Sequence, residues 1–389
     1  MMRRGRAGIA VAAAAAAACA SCTARDTVAT SGAEGDSIAA YCEQGGPALE
    51  VGGTCVYQLA STLFSHAVCA CQDLTRDSEL TTDELDSNYP LEPAGKGGDV
   101  ASNVTVHANS RMAIGGTLTV SGAAGVEAGP DLEVRADLRS GGPLGGPSSE
   151  IVVEGNASVA GTVMVGTMTI GEGTGTLTTP SAAGLTGQVN GRVVEGAVSV
   201  PPPCICDQAL VPDEVERRAV VNDDAEAELT PDRLVNVEGD DELPLPCGRF
   251  YLDEISGVTE GSTVTLHATG RASLFVAGNI TLTQGLTIAI DDGAELDLFV
   301  GGNVQVAGTM LLGDPGRTYA LRIYVASDGS INLPDGSMLA GNLYAPLTDL
   351  RWSAVPLEVR GAVVVRRLTG SGPITVHHDK AIASAGRCP

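Results

Sequence analysis

Six apolar triplets recur along the last third of this chain: Phe250-Tyr251-Leu252, Leu274-Phe275-Val276, Leu298-Phe299-Val300, Ile323-Tyr324-Val325, Leu343-Tyr344-Ala345 and Val363-Val364-Val365. They are spaced by 24, 24, 25, 20 and 20 residues, and five carry an aromatic ring in the middle. A period of that length in strand-type sequence points to a solenoid in which equivalent positions stack rung on rung. The chain holds one Trp, seven Tyr and four Phe, and six of those twelve aromatics lie in these triplets. The repeat therefore sets an architecture and marks one stripe of its surface.

Alternation around the triplets assigns the faces. In Glu295-Leu-Asp-Leu-Phe-Val300, period two puts Leu296, Leu298 and Val300 on one side and Glu295, Asp297 and Phe299 on the other. Arg322, Asn342 and Ser273 sit two residues before Tyr324, Tyr344 and Phe275 in the same phase. The aliphatic columns form the core. The column Tyr251, Phe275, Phe299, Tyr324, Tyr344 points away from it. Gly278-Asn279 and Gly302-Asn303 lie 24 residues apart and suit corners, where Asn tolerates left-handed backbone and stacks on itself. The expected fold is all-β, a right-handed parallel β-solenoid (β-helix) with a short disulfide-stapled N-terminal helical segment, the hand following from connection rules.

The first residues read as an export signal. Arg3, Arg4 and Arg6 precede an apolar run over 9–18 that is too short to span a bilayer. Small residues before a cysteine resemble the lipobox of bacterial lipoproteins, with Cys22 as the acylated residue and Cys19 as the alternative. An ordinary cleavage near Ala20 is the rival reading. Without residues 1–21 the charge balance is 20 − 47 = −27, which disfavours nucleic acid as a partner.

The remaining cysteines fall into two groups of four: Cys42, Cys55, Cys69, Cys71 and Cys204, Cys206, Cys247, Cys388. In an exported chain an even count favours disulfides. Cys69-Ala-Cys71 and Cys204-Ile-Cys206 are too close to bond internally, so each sulfur bonds outward; if bonding stays within each group of four, two of the three possible connectivities survive per group. A zinc site using His66 with Cys69 is the competing reading.

The expected organisation is a signal peptide (1–21), a flexible tether (22–40), a Cys-containing helical segment and linker (41–98), a first β block (99–203), a crossing segment with a short helix (204–246), a second β block (247–380) and a tail (381–389). Val56, Leu59, Leu63, Ala67 and Ala70 fall at helical spacing, which predicts one amphipathic helix over 56–74. Residues 75–98 read as a linker or extended wrap.

The end of the chain carries a family resemblance. Gly341-Asn-Leu-Tyr-Ala-Pro346, Gly361-Ala-Val-Val-Val365 and Ser371-Gly-Pro-Ile-Thr-Val-His-His-Asp379 resemble a bacterial domain of unknown function. That domain closes PilX-like pilus-assembly proteins and occurs on exported delta-proteobacterial lipoproteins. Its usual ending is His-Tyr-Asp, and His378 replaces the Tyr. The resemblance covers about 247–380 and implies a β-solenoid in a cell-envelope setting, with no reaction attached.

Among candidate sites, His377 and His378 point to opposite faces of a strand, so the His-His-Asp run reads as the cap of a terminal strand. Asp291, Asp292, Glu295 and Asp297, with Arg271 or Arg322 as base, are the nearest approach to a calcium-assisted polysaccharide lyase. No cofactor motif stands out. The leading expectation is a non-enzymatic cell-envelope lipoprotein at the outer membrane or cell surface, serving as a structural or adhesive module. Its expected partners are the membrane, through a lipid anchor, and a glycan or envelope protein. A periplasmic or secreted location is the alternative address. The alternative functions are polysaccharide binding along the aromatic column and β-helix lyase chemistry. For the column itself, the competing expectation is burial beneath the N-terminal helix or the crossing segment, since a bare 20 Å apolar stripe is uncommon on a soluble protein.

Overall fold

Each turn of the chain contributes one strand to each of three parallel ladders. The structure, a computed structural model, describes residues 42, 50–51, 54–89, 95–259 and 261–383. In the clearest turn, Thr263–Ala268, Arg271–Val276 and Ile280–Leu282 follow one another around the three sides. Each then pairs in parallel with the strand one turn later: Gly285–Ile290, Glu295–Val300 and Val304–Val306. Alternation puts the aliphatic side of every strand inward, so the core is one continuous apolar stack from Leu177 to Leu243. Strands that bend round a corner, such as Asn342–Trp352, link most of the ladder strands into one 30-stranded sheet, while Ile255–Ser256, Ile280–Leu282 and Val304–Val306 form a three-stranded sheet of their own.

The triplet spacing sets the corners. Where the step is 24, a Gly-Asn turn separates two sides, and Asn303 N donates to Asn279 Oδ1 at 2.8 Å. Where the step is 20, the separate corner is lost and one strand runs through it with a register break between Ala345 and Asp349. Gly361 occupies a tight corner at φ 128°, where a Cβ would lie 2.1 Å from the Gly341 carbonyl oxygen.

The order of the rungs in space is not their order in sequence. The strands from Asp240–Leu245 onward climb to Ile374–Asp379. The next turn is then supplied by the start of the described chain. Val68–Ala70 stacks on 363–365, Leu74 on Leu368, and Leu80–Leu85 on the whole of Ile374–Asp379. The climb continues from there through Val100–Ser102, Thr105–Ala108 and Met112–Ile114 to Arg192–Glu195. Residues 196–238 return down the outside to the first rung. The two β blocks thus form one ladder, joined where the winding passes from Asp379 to Ala67.

This arrangement corrects the reading of 56–98. The helix, α1, covers only Val56–Leu63. Beyond it Val68, Cys69 and Ala70 are strand, because ladders on both sides bury them more completely than one helix face would. Residues 73–76 and 80–85 are ladder strands rather than linker. Their outer positions are polar, which disguises them. The expected helix of the crossing segment, α2, is present over Leu210–Arg218.

Candidate functional site

The ring column runs up the outer face of the first ladder. Registers Tyr251↔Phe275, Phe275↔Phe299, Phe299↔Tyr324 and Tyr324↔Tyr344 place the five residues one above another. Phe275 and Phe299 stack with centroids 4.9 Å apart, and Phe299 and Tyr324 at 4.5 Å. Tyr344 tilts away from Tyr324 at 6.3 Å.

The column is covered. Phe275, Phe299, Tyr324 and Tyr344 have no exposed surface, and Tyr251 is half-buried. Ala60 and Leu63 of α1, with Phe64 after it, pack into the same cluster as Val211 and Val215 of α2. Arg218 lays its guanidinium 5.6 Å from the Phe275 centroid, and Tyr344 donates its hydroxyl to the Asp207 carbonyl at 3.1 Å. Desolvation holds the Tyr324 and Tyr344 hydroxyls well above the usual phenol range. The ligand-binding expectation for Tyr251, Phe275, Phe299, Tyr324 and Tyr344 is therefore corrected: the rings face away from the solenoid core as expected, but into a second core.

Two positions before the rings runs a buried polar row, Ser273, Asp297, Arg322 and Asn342, also in register. The Arg322 guanidinium is fully buried. It donates Nε to Asp297 Oδ1 at 2.6 Å and Nη2 to Glu295 Oε2 at 2.8 Å. These carboxylates hold its pKa well above the usual value against the opposing pull of burial. Enclosed between carboxylates, Arg322 is not placed to take a proton from a sugar. Asp291 stands apart at an exposed corner, where it bonds His267 Nε2 at 2.9 Å.

Among the described residues, three disulfides clamp the covering segments. Cys69–Cys204 and Cys71–Cys206 fasten the crossing segment side by side onto the joining rung, and Cys42–Cys247 ties the region before α1 to the first rung. Each of these bridges runs from one cysteine group to the other, because the return path lays the second group over the first. Cys69 and Cys71 are consequently not zinc ligands. Among the described residues no group of three or more His, Cys, Asp or Glu is placed to hold a metal ion. The side chain of Cys55, together with Cys19, Cys22 and Cys388, lies outside the described residues.

The His-His-Asp run is not at the end of the ladder. His377 Nδ1 lies 2.6 Å from Asp83 Oδ1 on the outside, and that contact raises its pKa. His378 turns inward and donates Nε2 to the Phe64 carbonyl at 2.9 Å. Asp379 accepts from Ser87 N, Ser87 Oγ, Thr318 Oγ1 and Ala381 N. The run fastens the joint between the last and the first strands.

Several structural groups escaped the sequence reading. Arg76, fully buried, lies 4.7 Å over the Trp352 ring and donates to the carbonyls of Gly370 and Gly372. Asp223 takes a bidentate bond from Arg249 at 2.8 and 2.9 Å. Beside it, burial raises Asp224 to about 6 although its carboxylate accepts from Tyr251 N. Neither pair has a local spacing that would announce it.

Residues 208–385 match the model of DUF7305, a domain of unknown function. The match begins before α2. That agrees with the packing, since α2 and residues 223–237 are built onto the climbing rungs. Comparison with curated proteins and with solved structures gave no match.

Proposed function

We propose that this protein is a non-enzymatic structural or adhesive module of the bacterial cell envelope, a right-handed β-solenoid held at the outer membrane or cell surface by a lipid on Cys22. The supporting observation is that disulfides among the described residues clamp covering segments onto one unbroken ladder. Such bridges suit an oxidising compartment outside the cytoplasm. Among the described residues no helix is long and apolar enough to cross a membrane, so the proposed attachment is the acyl chain. The ring column and the Asp297–Arg322 pair, the groups most suggestive of binding or chemistry, are engaged in packing. The resemblance to domains of PilX-like proteins and exported lipoproteins supports an envelope role.

The test is acylation. In a bacterial host the full-length chain incorporates labelled palmitate, its processing is blocked by globomycin, and Cys22→Ala abolishes both. Release of an unlabelled, soluble protein would sink the anchor.

A further inference from the structure

The two ends of the solenoid are built differently. At the lower end residues 223–237 close the first rung. Asp223 N donates to the Arg249 carbonyl, Asp253 N to that of Pro231, and Ser256 N to that of Leu234. Leu234 and Val237 sit in the core cluster and Leu229 packs against it. Among the described residues the ladder edge left open there, Asp240–Leu245, carries Asp240, Asp241, Glu242 and Pro244. Charge and proline are the usual protection of an edge strand against pairing.

The upper end has none of this. Its last strands are Leu185–Asn190, which pairs only with the strand below it, and Arg192–Glu195, likewise. No described residue pairs with their outer edges. Leu185, Val189 and Val193 stand in register above Val163, Met168 and Leu177, three core residues. They continue the core upward with no described strand paired above them, and Val193 is 37% exposed. Residues 173–203 include only two charged side chains, Arg192 and Glu195, in a chain of net charge −24.

We infer that this end docks a second copy of the same chain, end to end about a two-fold axis. A rung of this kind offers strand edges on three sides around an apolar centre, and a matching partner must offer the same. The lower end cannot serve, because its edges are capped, acidic or interrupted by proline. The upper end meeting its own copy brings the three apolar residues together without opposing two acidic surfaces. From the strand lengths the footprint is roughly 400–500 Å² per copy, below the size of permanent interfaces, so association is weak.

Backbone geometry supplies a selective test. Arg192 N and Gly196 N donate downward, to Gly175 and Thr179. By alternation the Val193 N–H faces the open edge. Val193→Pro removes that donor without removing a ladder bond, and Val193→Lys places a charge over the apolar centre. Sedimentation equilibrium of the oxidised protein without its lipid is expected to show a reversible monomer–dimer equilibrium. Both variants are expected to weaken it at least tenfold while the melting temperature stays near that of the unsubstituted protein. A protein that is monomeric up to 500 µM overturns the inference and points to a different partner for this end. A dimer whose Kd neither variant changes also overturns it.

Discussion

The imidazole Nε2 of His378 donates to the carbonyl of Phe64 at 2.9 Å, although the two residues are 314 positions apart. The bond marks the place where the winding, having reached Asp379, is taken up again at Ala67. Arg76 secures the same joint from another side, through Trp352 and the carbonyls of Gly370 and Gly372.

Cys69–Cys204 and Cys71–Cys206 close loops of the same length, each with a sequence separation of 135. Chain entropy gives about 5 kcal/mol for the first such bridge and little for a second beside it. Replacing either pair with serine is expected to cost about 1 kcal/mol or less, and replacing both several times more. Urea unfolding of the three variants measures this; equal and additive losses would contradict it.

Phe299 is stacked between Phe275 and Tyr324 beneath two covering segments. Phe299→Ala is expected to destabilise by about 3–5 kcal/mol, as for other large buried rings. A loss below 1 kcal/mol in a chemical denaturation series would mean that the ring is open to solvent.

Asp297 and Arg322 are both buried and bonded. Asp297→Leu alone leaves an incompletely paired guanidinium and is expected to cost about 3–5 kcal/mol. Adding Arg322→Met should recover part of that loss. A double-mutant cycle with no coupling would refute the pairing.

Two groups set a pH dependence of one sign. Burial raises Asp224 from 3.8 to about 6, and the bond to Asp83 raises His377 above 6.5. Each binds its proton more tightly in the folded state, so the stability it adds is present at low pH and lost as pH rises through its folded pKa. Asp224→Asn is therefore expected to raise the melting temperature at pH 7.5 and leave it nearly unchanged at pH 4. His377→Gln should flatten the slope above pH 6.5. Melting curves from pH 4 to 8 check both.

The climbing half was legible because its evidence is local. Alternation in Glu295–Val300 identifies the core side and the outer side of a rung, and the Gly-Asn pairs identify its corners. The joining rung was not legible. Asp73-Leu-Thr-Arg76 and Leu80-Thr-Thr-Asp-Glu-Leu85 show polar outer residues to a reader who does not know what lies on either side of them. Nor does the alternation say what covers an outward ring. Val211 and Val215 look like any helix face until the return path lays them over Phe275 and Phe299. The disulfide pairing depended on that same path.

The position of the joint has a consequence for the order of folding. Residues 68–195 leave the ribosome first and can stack upward as they appear. Their lower edge, 80–85, gains its neighbour only when 374–379 has been made, nearly three hundred residues later. Contacts of such span form slowly, and an unpaired edge is prone to aggregation while it waits. The last of the described strands is therefore the keystone of the middle, and the described ladder is completed at its centre rather than at its tips.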